Sequence, residues 1–138
     1  MVEEYPNLTI SGKGTLPRVP FLAIKEAVLG KKYDLSIRFV DPGTALALNI
    51  THRNKDYTPN TLSFSLSKTS GEIVLCRSAI RKEYKKFGMS YDTYMMFLVI
   101  HSSLHLVGMT HGSTMENKEL FFLKKFAPTN ETITFSRH

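Results

Sequence analysis

The sequence predicts an α+β fold. Short alternations of apolar and polar residues at 35–40 and 61–67, with a third apolar segment at 72–77, have the two-residue period of strands. Longer segments at 17–30, 91–107 and 113–126 carry apolar residues three and four apart, the period of helices. Only Lys68, Thr69, Ser70 and Gly71 separate the second strand from the third, which is short enough for a hairpin. Strands and helices mixed in one chain, with two strands joined this way, indicate α+β.

Taken in order, residues 5–11 hold a short apolar alternation that suits one edge strand, and Gly12-Lys13-Gly14 suits a turn. The helix at 17–30 presents Phe21, Ile24 and Val28 on one face. Pro20 falls in its opening turn, where a missing amide hydrogen is tolerated, and Gly30 stops it. After the strand at 35–40, Asp41 should cap a short helix to about residue 50, with Pro42 in the first turn. Residues 52–60 turn polar and read as a loop. Residues 78–87 form a basic helix closed by Gly88. Ser90 then caps the central helix at 91–107, with Asp92 in its first turn.

That central helix is apolar on nearly every side from 94 to 100 and must be largely buried. Ser113-Thr114-Met115-Glu116 resembles a capping box for the last helix, whose core face would be Leu120, Leu123 and Phe126. Pro128 ends it. A Thr-Ile-Thr-Phe alternation follows in the tail, and His138 is given no role.

The length of 138 residues suits one domain with its own core. Its single cysteine, Cys76, follows an apolar run, cannot form an internal disulfide, and reads as a packed strand residue. The opening Met1-Val2-Glu3-Glu4-Tyr5 lacks the basic-then-apolar order of a secretory signal, and the apolar run at 94–100 is too short to span a bilayer. The expectation is a cytoplasmic protein without a membrane partner. A formal charge of +6 favours partners that carry many negative charges, of which phosphate backbones are the commonest. Arg77, Arg81 and Lys85 share one face of the basic helix, but this run taken alone reads as a solvated surface.

The most informative stretch is residues 101–111, with His101, His105, Gly108 and His111. Two histidines four apart lie on one helix face and can grip one ion. A glycine just past the helix can turn the chain back and bring His111 to the same ion. Three imidazoles leave one tetrahedral position for water, the arrangement of a catalytic zinc rather than a closed structural one. Ser102 stands where zinc proteases with a similar spacing carry a general-base glutamate, so peptide hydrolysis by that route is disfavoured.

The stretch resembles the signature of the YbeY family of metal-dependent endoribonucleases, approximately His-Gly-x-Leu-His-Leu-x-Gly-Tyr-Asp-His. His101, Leu104, His105, Leu106, Gly108 and His111 are in register. Ser102 replaces the glycine, and Met109-Thr110 replaces Tyr-Asp, removing an acidic residue beside the last ligand. Leu48-Asn49 with Arg53 and Asp56 is similar to the family's Leu-Asn-x-x-Tyr-Arg-x-x-Asp. Asn60-Thr61-Leu62-Ser63-Phe64 is similar to its Asp/Asn-Val-Leu-Ser-Phe, and residues 71–76 parallel a Gly-Asp-Ile-Val-Ile-Cys strand.

The resemblance covers about residues 34–126 and implies a small mixed β-sheet packed against several helices, with the central buried helix carrying the histidines. It also implies a zinc-dependent, single-strand-preferring endoribonuclease, acting with the ribosomal subunit in 16S rRNA 3′-end maturation and ribosome quality control. Arg53 matches the family arginine associated with activity; its planar fork could hold two phosphate oxygens, and the ordinary alternative is an ion pair with Asp56. Asn60 and Ser63 could bind substrate or satisfy local backbone groups. His52 reads as a solvent-facing loop residue. Two rival functions remain open: a metal-dependent hydrolase of an amide or ester bond, and a non-catalytic rRNA-binding assembly factor with a structural metal.

Overall fold

The structure, a computed structural model, describes residues 1–128; the tail alternation and His138 lie outside the described residues. Five strands form one mixed sheet, β1 (Val2–Tyr5), β2 (Leu8–Ser11), β3 (Asp34–Phe39), β4 (Thr61–Ser67) and β5 (Ser70–Leu75), in the order β1-β2-β3-β5-β4. The three inner strands β2, β3 and β5 run parallel, and the two edge strands run antiparallel to their neighbours. Five helices accompany them among the described residues: α1 (Phe21–Val28), α2 (Pro42–Arg53), α3 (Arg77–Glu83), α4 (Tyr91–Leu106) and α5 (Ser113–Phe126). This is the α+β architecture read from the sequence.

Helix α4 is the centre of the core. It packs against β4, β5, α1, α3 and α5, and every residue from Thr93 to Ile100 is buried. Burial of each large side chain, such as Met95 or Ile100, contributes about 1.5–3 kcal/mol, so this run holds the helix firmly across the sheet. Alternate residues of β2 and β3 (Leu8, Ile10, Leu35, Ile37) face the same cluster. Ser90 caps α4 as expected, its hydroxyl accepting the Thr93 amide.

Several boundaries differ from the sequence reading, each for a local reason. The single edge strand expected at 5–11 is a hairpin turning through Pro6 and Asn7, and its outer strand β1 is mostly exposed and charged at Glu3 and Glu4. Such a strand lacks an apolar face to betray it, and its charges protect the sheet edge. Helix α1 begins at Phe21 rather than 17 because Pro20, at φ −78° and ψ 69°, lies outside helical backbone and centres an inverse γ-turn in which the Phe21 amide donates to the Val19 carbonyl at 2.9 Å. Helix α2 continues through Arg53 to a left-handed cap at Asn54, so His52 and Arg53 belong to a helix and not to the expected loop.

The hairpin between β4 and β5 is tighter than expected, with β5 starting at Ser70 and a register shift between Ser65 and Ser67. Cys76 is buried, but it lies between β5 and α3 rather than in a strand. The basic helix starts at Arg77 and tightens to a 3-10 turn over Tyr84–Phe87. The capping box does not form at α5: Gly112 occupies the N-cap and no side chain caps it. The buried face of α5 is Met115, Glu119 and Leu123, with Leu120 and Phe126 only partly covered.

Candidate metal centre

The C-terminal end of α4 brings the three histidines together. His101 and His105 project from its last turns, and the helix closes with paired backbone bonds, Gly108 N–H to His105 O at 2.9 Å and Met109 N–H to Leu104 O at 3.1 Å. These two bonds define a Schellman turn, which needs left-handed backbone at its glycine; Gly108 has φ +93°. The turn sends the chain back over the helix end and places His111 beside the other two. One ring nitrogen from each histidine lies within 4.8 Å of the others, and the three ring centroids are 4.5–5.3 Å apart.

The second nitrogens of His101 and His105 have fixed partners. His101 Nδ1 lies 2.6 Å from Glu119 Oε2, and His105 Nδ1 lies 3.0 Å from the Met109 carbonyl oxygen. A carboxylate and a carbonyl only accept, so both Nδ1 atoms carry the hydrogen and both Nε2 atoms present bare lone pairs. Those Nε2 atoms face each other at 3.1 Å. Two lone pairs so close repel unless a cation lies between them, and a tetrahedral ion with bonds of about 2 Å spaces its donors by about 3.3 Å. Burial, and then the neighbouring His101, push the His105 pKa down, which keeps the ring in the neutral form that binds metal. The residues present therefore fit a metal ion.

The histidines share a cavity of about 340 Å³ with Arg53, Thr61, Leu62, Ser63 and Ser102. Arg53 reaches it from the last turn of α2, held there by the Asn54 cap and by Asn49, whose buried amide donates to the Tyr57 carbonyl at 2.9 Å. No Arg53–Asp56 ion pair forms among the described residues. The cavity is also lined by Ser63 but not by Asn60. Asn60 donates instead to Glu83 Oε2 at 2.8 Å and to the Tyr94 hydroxyl at 3.1 Å, tying the start of β4 to α3 and α4. Ser102 is buried, and its hydroxyl pairs with that of Thr61 at 2.9 Å. His52 is exposed and meets the Phe64 ring edge-on at 5.1 Å.

Sequence reasoning missed Glu119 and the Met109 carbonyl. The first had a signal: Met115, Glu119 and Leu123 are spaced by four, so an acidic residue occupies an otherwise apolar helix stripe. A fully buried carboxylate has to be paired, and its partner proves to be His101. The second had none, since a backbone carbonyl is invisible to side-chain patterning.

Among the described residues no helix is long and apolar enough to cross a membrane. The solution structure of TM1509 from Thermotoga maritima has a similar fold, with a TM-score of 0.63 at 21% identity over 86% of this chain and 87% of that one. Proteins named Endoribonuclease YbeY are similar in sequence. That of Thiobacillus denitrificans is 31% identical over 84% of this chain and 86% of its own length, and that of Paraburkholderia phymatum 31% over 78% and 74%. That of Staphylococcus carnosus is 27% identical over 81% of each. The family model described as Endoribonuclease YbeY matches residues 17–128, a span that includes Arg53 and all three histidines, and the chain belongs to that family.

Proposed function

We propose that the chain is a cytoplasmic, zinc-dependent endoribonuclease that prefers single strands and acts on ribosomal RNA at the ribosomal subunit, in 16S 3′-end maturation and ribosome quality control. His101, His105 and His111 are the metal ligands in this reading. Its main support is that the cavity holding their converging nitrogens is the one into which Arg53 reaches. The family membership and the +6 charge point to the same substrate class.

Three neutral imidazoles suit zinc and leave its full double charge uncompensated, so when bound the ion would polarise a phosphoryl oxygen and acidify a coordinated water. The chain's own groups do the rest. Arg53 presents a planar fork to two non-bridging oxygens and offsets the negative charge that develops on them during cleavage. Ser63 offers a hydroxyl to the substrate from the cavity wall, whereas Asn60 holds β4 in place. Glu119 and the Met109 carbonyl orient the His101 and His105 rings before any ligand arrives. Among the described residues no Asp or Glu lines the cavity.

A substrate panel tests the reading. Zinc-loaded protein should cut single-stranded RNA faster than duplex RNA and leave peptide and ester substrates intact. Amide or ester turnover without RNA cleavage would select the rival hydrolase. RNA binding that survives zinc removal, with no cleavage in either state, would select the assembly factor.

A further inference from the structure

A second cavity, of about 480 Å³, opens at the opposite end of α2 from Arg53, where Lys13, Arg38, Phe39, Asp41, Arg77 and Arg81 come together. The turn Gly12-Lys13-Gly14 builds one wall. A Cβ at Gly12 would fall 2.5 Å from the Phe39 carbonyl oxygen, and one at Gly14 would fall 3.4 Å from Arg77 Cζ. The first distance is a backbone clash that only glycine avoids, the second is ordinary contact, and Gly14 is required instead by its left-handed φ of +94°. The Arg77 guanidinium in turn stacks over the Phe39 ring, its Cζ 4.2 Å from the centroid.

Arg77 Nε and Nη2 are buried and have no hydrogen-bond partner. Their hydrogens point the same way and form the side-on fork that matches two oxygens of one phosphate. An unpaired buried donor on a permanent cation is costly, and a phosphate in the cavity would supply two charge-assisted bonds to a guanidinium turned toward it, against some loss of its stacking on Phe39. Asp41 is the opposing charge on the rim, but its Oδ1 accepts the Thr44 amide at 2.7 Å. Arg38 is paired with Glu72 at 3.2 Å. Lys13 and Arg81 are exposed.

Both cavities lie along one end of the sheet. The second is lined by Ser11 and Phe39, the last residues of β2 and β3, and the metal centre by Thr61, the first residue of β4, which pairs with Leu75 at the end of β5. Two strand spacings, or the length of the twelve-residue α2, separate them by roughly 10–18 Å. We propose that the cavity at Arg77 is a second phosphate site, in which Arg77, Lys13 and Arg81 hold a backbone phosphate of the RNA strand a few nucleotides from the scissile bond. This rests on the RNA reading above.

Titration of the full zinc-loaded chain with inorganic phosphate, followed by NMR at the Arg77 Nε–H, tests the site itself. A saturable shift that persists in Arg53→Ala is expected, and no shift overturns the proposal. Fluorescence anisotropy with a 2′-O-methyl RNA tests the occupant. Arg77→Gln and Arg81→Gln should each weaken binding several-fold and flatten the log–log salt dependence by about 0.7 per cation removed. Wild-type affinity and slope in both variants, while the wild type still cuts RNA, overturn the second site alone. A wild type that shifts with phosphate but neither binds nor cuts RNA overturns the RNA occupant and the RNA reading together.

Discussion

His101 Nδ1 donates to a buried carboxylate oxygen of Glu119 at 2.6 Å, and this bond ties the end of α4 to the second turn of α5. The side chain of Glu119 is fully buried and that of His101 only 16% exposed. The bond fixes the His101 tautomer, aims Nε2 into the cavity, and places a negative charge behind the ring.

Replacing Glu119 with Gln keeps an acceptor but removes the charge. Zinc affinity, measured by competition with a chromophoric chelator, should fall about 10–100-fold, the usual effect of losing such a partner. Unchanged affinity would mean that the carboxylate serves only the packing of α5.

Arg53 is exposed and makes no ion pair among the described residues, so Arg53→Ala should leave the melting temperature within a degree or two while kcat/KM for RNA falls about 10²–10³-fold. Arg53→Lys restores the charge without the fork and should recover only part of the loss. A substitution that lowers stability and leaves turnover intact would assign Arg53 to the fold.

Gly108→Ala meets no steric obstacle, since nothing lies within 4 Å of an added Cβ, so its cost is conformational. Forcing left-handed backbone on alanine should destabilise the chain by about 1–2 kcal/mol in denaturant melts. It should also weaken zinc binding, because the same turn carries the Met109 carbonyl and His111.

The lowered pKa of His105 predicts a pH effect on the metal-free protein. As pH falls below the ordinary value of 6.5, the unfolded chain takes up this proton before the folded one does. The contribution of His105 to stability is therefore present above pH 6.5 and shrinks on acidification toward the folded pKa. Melting temperatures from pH 7.5 to 5.5 should fall more steeply for wild type than for His105→Gln; parallel slopes would show that the ring titrates normally.

Much of this was legible in the sequence, and the reasons are specific. The apolar run at 94–100 announced α4, and a 4-3-3 spacing of His, His, Gly and His announced the histidine cluster, because helix periodicity and the glycine turn after it bring the rings together. The N-terminal hairpin was not legible, since β1 exposes Val2, Glu4 and Tyr5 and has no buried face to set a pattern. Arg53 reads as a loop residue in the sequence because polar residues on an exposed helix face look like loop composition, and the Asn54 cap that ends the helix is one residue further on. The role of Asn60 could not be read, because Glu83 and Tyr94 meet it only through tertiary packing.

The most direct test is metal analysis of the purified protein coupled to an RNA cleavage assay, on wild type and His105→Ala prepared without chelator. The account predicts one equivalent of zinc and metal-dependent cleavage in wild type, with both lost in the variant while circular dichroism still shows the folded chain. A wild type that purifies without metal and gains no cleavage on adding zinc, or a variant that cuts RNA at the wild-type rate, would contradict it.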